Sequence, residues 1–519
     1  MPSRLFAFWV VCVLTAGACF AQTSREARRA EMAARIDALI AEQYKELGIT
    51  PAEGASDAEF MRRVYLDLTG VIPRVSEARA FLNDKREDKR AHLVDDLLSS
   101  PAHATHMANT WRHLMLPSGF DAEQANATVG VQNWLRNHFV DNLRYDRIVS
   151  ELLVSNEGGQ SGPALFYTSH ETKPEKIAAA TARIFLGLQI ECAECHDHPF
   201  DRWKQTDFWG YAAFFARLKQ SGAMAGSSRY SLEDLPEGEV KIPKIDEVAK
   251  PKFPGGAKPE EDASGSRRVQ LSIWMASREN PYLAKAAVNR IWGQLFGRGF
   301  VEPVDDLSEN NPASHPKLFA ELTDYFVEIG FDLRELYRTL ALTKTYQLSS
   351  TWKGEKEPPN EAFARAATKP LSPDQLYDSV NRVLARRASA GGMPGAPASP
   401  LLDPARQSFL ARIQSPSRTA TEYSAGALQA LMLMNGTDIA MATAPKDSAL
   451  LASMSAPWLS DSDRVEILFL GTLSRTPNDE ERQLFAEHAS AAKTEEEKEL
   501  AWSDLLWVML NSAEFAINH

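Results

Sequence analysis

An apolar stripe repeating every three to four residues, Ile177, Ala180, Ile184 and Leu188, runs from Pro174 into Cys192-Ala193-Glu194-Cys195-His196, and Pro199 follows. Proline suits a first helical turn and the period is that of one helix face, so the spacing predicts a helix that reaches the cysteines and stops before Pro199. On a helix, residues three and four apart share a face. Two thiols and one imidazole would then point the same way. C-x-x-C-H is the attachment signature of a c-type haem, the thiols adding across two vinyl groups while the imidazole ligates the iron. On this reading Cys192, Cys195 and His196 bind covalent haem c, and His196 is the metal ligand.

Two other chemistries fit part of the pattern. A C-x-x-C pair in an oxidising compartment can be a structural or redox-active disulfide, which leaves His196 without a role. Zinc would draw on Cys192, Cys195, His196 and His198. Four ligands within seven residues can hardly wrap a tetrahedral ion, which usually takes two separated pairs.

The chain has four cysteines, and the other two, Cys12 and Cys19, lie in its N-terminal apolar segment. Arg4, the apolar run from Leu5 to Ala16 and Cys19-Phe20-Ala21 before Gln22 read as a signal peptide over 1–21. A lipoprotein anchored at Cys19 is the less favoured variant, because Ala16 is a weak fit to the usual leucine. The expected location is periplasmic or secreted, the side of the membrane where c-type haem is attached. No later stretch approaches eighteen apolar residues, so no transmembrane segment is expected in the mature chain.

A length of 519 residues calls for more than one core, and 44% hydrophobic with 24% charged residues reads as soluble and globular. The net charge of −12, without a Lys/Arg block, argues against a nucleic-acid partner. Helical periodicity dominates: Glu59 to Leu68, closing on Thr69-Gly70; Ala91 to Leu98; and Asp207 to Leu218, with Phe208, Tyr211, Ala212 and Phe215 on one side as a possible haem wall or plain core. In the second half Asn280-Pro281 opens a helix ended by Gly297, Asp332 with Glu335 and Ser372 with Gln375 read as capping boxes, and Leu505 to Leu510 marks a last helix. Gly, Ser, Pro, Lys and Glu dominate 219–268, with one strand-like piece at Val240 to Ile242; Ser389 to Pro400 is a second loop. The fold class is therefore mainly α: a helical domain over 22–218, a linker or site-covering loop over 219–268 with a small β element, and a second helical domain over 269–519.

Longer motifs carry a resemblance. Arg62-Arg63-Val64-Tyr65-Leu66-Asp67-Leu68-Thr69-Gly70, Phe185-Leu186-Gly187-Leu188-Gln189 and His198-Pro199-Phe200-Asp201-Arg202-Trp203 resemble the planctomycete cytochrome-like family PSCyt. Asn289-Arg290-Ile291-Trp292, Phe296-Gly297-Arg298-Gly299, Thr345 to Ser350 and Asn511 to Phe515 resemble its companion, PSD. The resemblance implies large exported bacterial proteins whose biochemical role is largely unassigned, so it sharpens architecture more than function.

The leading expectation is an exported c-type haem protein in electron transfer or redox chemistry, with an unknown redox partner. His170, His106, His113 and Met107 are candidates for the iron's second ligand, while Asp197 and His198 could orient the proximal ring or cap the turn. The alternatives are a binding or scaffolding protein with a C-x-x-C disulfide or metal site, and a glycan hydrolase using Glu302, Asp305 and Asp306, whose simpler reading is a solvated acidic loop.

Overall fold

The computed structural model describes residues 3–117, 125–156, 162–221, 231–259, 265–384, 401, 403–413, 436, 439, 443–444 and 448–519, without the side chains of 3–23, 125–127 and 413. It is mainly helical. The first half contains α1 (Ser3–Leu47), α2 (Asp57–Thr69), α3 (Val75–Asn83), α4 (Lys89–Ser99), α5 (Pro101–Met115), α6 (Ala125–Val140), α7 (Tyr145–Val154), α8 (Leu165–Ser169), α9 (Pro174–Thr181) and α10 (Gln205–Ala212). The second half continues with α11 (Arg267–Met275), α12 (Leu283–Phe296), α13 (Pro316–Glu328), α14 (Leu333–Ala341), α15 (Pro373–Leu384) and α16 (Pro404–Ile413). Then come α17 (Ala449–Met454), α18 (Asp461–Thr472), α19 (Asp479–Ser490), α20 (Glu495–Leu510) and α21 (Ala513–Ala516). No helix among the described residues is long and apolar enough to cross a membrane.

Several helix ends sit where the residues demand them. Gly70 and Gly297 close α2 and α12 in the left-handed region, at φ 71° and 79°, where a side chain is strained. Ser372 and Gln375 form a complete capping box before α15. Asp332 accepts the Glu335 amide at 3.0 Å at the start of α14. The Ser389 to Pro400 loop lies outside the described residues.

Two antiparallel strand pairs complete the fold: β1 (Leu218–Ser221) with β2 (Ser231–Asp234), and β3 (Lys369–Pro370) with β4 (Ile517–Asn518). The strand expected at Val240 to Ile242 reduces to a single bridge, Lys241 to Val248. The helix expected over Asp207 to Leu218 is shorter. It tightens to a 3₁₀ turn at Ala213–Phe215, and Leu218 already belongs to β1.

The apolar core does not divide where the composition changes. One cluster is continuous from Met32 on α1 through α10 and on to Ala364, with Trp292 of α12 stacked between Phe296 at 3.9 Å and Phe300 at 4.2 Å. A second gathers Leu66 and Ile72 with apolar residues from Leu371 to Phe515. The described part of 219–268 is packed too. Phe253 stacks between Phe214 and Trp274, each 4.9 Å away, and Arg268, fully buried, spans Asp234, Leu153 O and Ser155 O.

The N-terminal half is tied to the far end of the chain through α2. Arg62 forks onto the carbonyls of Thr472, Glu514, Phe515 and Ile517, while Arg63 donates to Tyr346 O, Leu348 O and His519 O. Asp67 accepts from Lys369 at 2.6 Å, Tyr346 at 2.8 Å and Asn518 at 2.7 Å. Burial pulls the Arg62 guanidinium down to about 10, and the surrounding carbonyls take the place of water.

Candidate functional site

The helix that begins at Pro174 does not reach the cysteines. Past Thr181 it widens into one π-helical turn, Ala182–Leu186, and Gly187 at φ 66° ends it, with the Leu188 amide donating back to Ala182 O. A Cβ at 187 would sit 2.9 Å from Leu307 Cδ1, so the close approach and the positive φ both require glycine. The correction has a tertiary cause: Gly187 O is taken at 2.8 Å by the Leu307 amide, from the other half of the chain. π-Turns are rare and often accompany functional sites.

The C-x-x-C-H stretch is instead a 3₁₀ turn, Glu191–Glu194, with Cys195 following it. Cys192 lies within the turn and Cys195 caps it, so three residues of tightly wound backbone separate the two thiols. Ala193 is fully buried and pins the turn; both cysteines are exposed free thiols. Glu194 O is held by Gln205 Nε2 at 3.0 Å and Trp209 Nε1 at 2.9 Å, so α10 buttresses the turn from behind.

The two histidines are set up differently. His196 Nδ1 lies 2.8 Å from Asp197 O, and a carbonyl only accepts, so the proton belongs on Nδ1 and the lone pair on Nε2 of the exposed residue. That is how a ligating imidazole is usually oriented. His198 Nδ1 instead accepts the Phe200 amide at 3.3 Å, and its own amide donates to Trp203 O at 2.7 Å. Asp197 serves twice, its carbonyl orienting His196 and its Oδ1 accepting the Gln205 amide at 2.8 Å. Next to them Phe200 is 83% exposed on a loop closed by these bonds.

Residues from the second half grip both flanks. Asp305, 2% exposed, takes Arg183 Nε at 2.6 Å and Gln189 Nε2 at 3.0 Å ahead of the turn. Buried Arg290 donates to Ile184 O at 3.2 Å; burial lowers its pKa while Asp305 and Tyr145 raise it. Beyond the turn, Asn310 Nδ2 donates to Phe200 O, Glu309 pairs with Arg202, and Arg202 also donates to Tyr282 Oη at 2.9 Å.

The candidates for the iron's second ligand each have partners of their own. His170 Nδ1 lies 2.6 Å from Phe166 O, His113 pairs with Asp374 at 2.8 Å, Met107 is 2% exposed in the core, and His106 lies against Gly70. Phe208, Tyr211, Ala212 and Phe215 are buried in the core. Among the described residues no three His, Cys, Asp or Glu side chains gather to hold a metal ion, so the four-ligand zinc arrangement is not formed. Glu302 accepts the Gly299 amide at 2.9 Å and Asp306 Oδ2 accepts from Asn311 Nδ2 at 3.3 Å, so these carboxylates, like Asp305, have partners within the chain. Sequence reasoning named Asp305 for another chemistry and missed Arg183, Gln189, Arg290 and Asn310. Only the motifs around Arg290 and Gln189 marked those stretches.

Comparison with known families bears out the PSCyt and PSD pairing read from the motifs. Residues 35–220 match the PSCyt2 model, described as a protein of unknown function (DUF1549), and residues 267–401 match the PSD1 model, a protein of unknown function (DUF1553). No curated protein and no solved structure matches the chain.

Proposed function

The chain carries the PSCyt2–PSD1 pairing, and from that premise we propose that it is an exported c-type haem protein working in electron transfer or redox chemistry. The observation that carries the reading is the turn itself: two free, exposed thiols three residues apart, followed by an exposed imidazole whose Nδ1 is tied to Asp197 O. These residues fit the group. Cys192 and Cys195 would hold it covalently and His196 Nε2 would take the iron, which supplies a one-electron couple when bound. Asp197 O keeps the ring in the ligating tautomer. Export follows from the N-terminal Arg4 to Ala21 pattern and agrees with where such attachment takes place.

The test is a reduced pyridine haemochrome spectrum on protein purified from a host able to mature c-type cytochromes. A thioether-type α-band and a haem-staining band on denaturing gels are expected, both lost in Cys192→Ala or Cys195→Ala. A colourless protein from that host refutes the reading. The same exposed thiol pair also supports a thiol–disulfide function, and a colourless protein whose two cysteines close reversibly would favour it.

A further inference from the structure

The C-x-x-C-H turn belongs to the PSCyt2 segment, but both of its flanks are held by the other one. Ahead of it, Asp305 bridges Arg183 and Gln189, and the Leu307 amide takes Gly187 O where the helix ends. After it, Asn310 takes Phe200 O and Glu309 takes Arg202. Asn289 holds the loop that brings these residues over, donating to Val301 O at 2.8 Å and Val304 O at 3.1 Å and accepting the Val301 amide at 3.0 Å.

We propose that residues 305–310 of the PSD1 segment are the positioning wall of the C-x-x-C-H site, Asp305 fixing the approach to the turn and Asn310 its exit. The inference rests on the turn being the working site proposed above, but not on which group occupies it. It gives the PSD1 segment a role: the PSCyt2 segment supplies both thiols and the imidazole and buttresses the turn through α10, while the PSD1 segment grips its two flanks. Asp305 suits this task because a buried carboxylate with one donor on each oxygen, Arg183 on Oδ2 and Gln189 on Oδ1, ties the two donors to one rigid group. The thiols need such help. They sit at the surface, where the buried Ala193 is the only member of the pentapeptide anchored in the core.

The test uses the full chain, made in two ways. Protein from a host without c-type maturation is equilibrated with reduced and oxidised glutathione, so that two thiols close to one disulfide as one glutathione disulfide becomes two glutathiones. Asp305→Asn and Asn310→Ala should each lower the closure constant at least tenfold, ~30 mV for a two-electron couple. The remote exposed variant Lys353→Ala should leave it unchanged. Asn310 is at the surface, so its variant keeps the test valid if Asp305→Asn fails to fold. Closure constants equal to the parent in the folded variants, or shifted as much by Lys353→Ala, overturn the proposal. Protein from a maturing host separates the two ideas: shifted closure constants with no haem in the parent sink the haem reading and leave the positioning wall standing.

Discussion

Replacing Phe253 with alanine should loosen the 240–259 segment without unfolding the protein. Its ring is 8% exposed and stacks on Phe214 at 18° and on Trp274 at 9°, each 4.9 Å away, so it wedges between the 3₁₀ turn after α10 and the helix α11. Truncating a buried phenylalanine costs about 3–5 kcal/mol. At ~1.4 kcal/mol per factor of ten, that raises the open population of this segment roughly 100- to 4,000-fold. Lys241, Lys244 and Lys252 provide tryptic sites, Lys250 and Lys258 being blocked by the prolines that follow them. Dilute trypsin, followed by mass spectrometry, reads the open population directly when reclosing outpaces cleavage. Cleavage in 240–259 should be slow in the parent, intermediate in Phe253→Leu and fast in Phe253→Ala. Equal rates in all three would show that the stacked ring does not hold the segment, and the packing argument would fail.

Arg62→Met should destabilise the chain by about 3 kcal/mol or more in urea, because it strands buried carbonyls at Thr472 and Phe515; a midpoint equal to the parent's refutes this. Stability should rise with pH between about 4 and 6.5. Burial, against the pull of the bond to Leu68 O, holds His103 at about 4, and burial does the same to His315. An unfolded imidazole titrates near 6.5, so the unfolded chain binds more protons in that window; the stability is complete above 6.5 and lost as pH falls toward 4. His315→Phe should flatten this dependence, and an unchanged slope in denaturation midpoints would count against the assignment. In haem-loaded protein, His196→Ala should alter the Soret band and the potential strongly, whereas His198→Ala should act mildly by loosening the Phe200 loop. Equal damage from both would refute the assigned tautomers.

Local chemistry made much of this fold legible. Gly70, Gly297, Ser372 with Gln375 and Asp332 act where their backbone preferences place them, because each cap needs only neighbours a few residues away. The motifs also carried the pairing of the two segments. The stretch before the cysteines failed for the opposite reason. Its stripe favours continued helix, but Gly187 meets Leu307 and Arg183 meets Asp305, partners more than 100 residues away that no local window contains. Composition likewise hid the packing of 231–259, where a few apolar side chains, Leu232, Ile242 and Phe253, are buried among many polar ones. Which nitrogen of His196 carries the proton could be read only once Asp197 O was placed.

The Arg62 fork also sets a timetable. The cation on α2 is synthesised early, yet the carbonyls that receive it lie 410 to 455 residues further along the chain. At about 5–20 residues per second, α2 waits roughly 20 to 90 s for its acceptors. Until then a guanidinium destined for full burial must stay in water, so this helix cannot dock early and the N-terminal core cannot close over it. Such a delay keeps the N-terminal core open until the C-terminal end of the chain has been made.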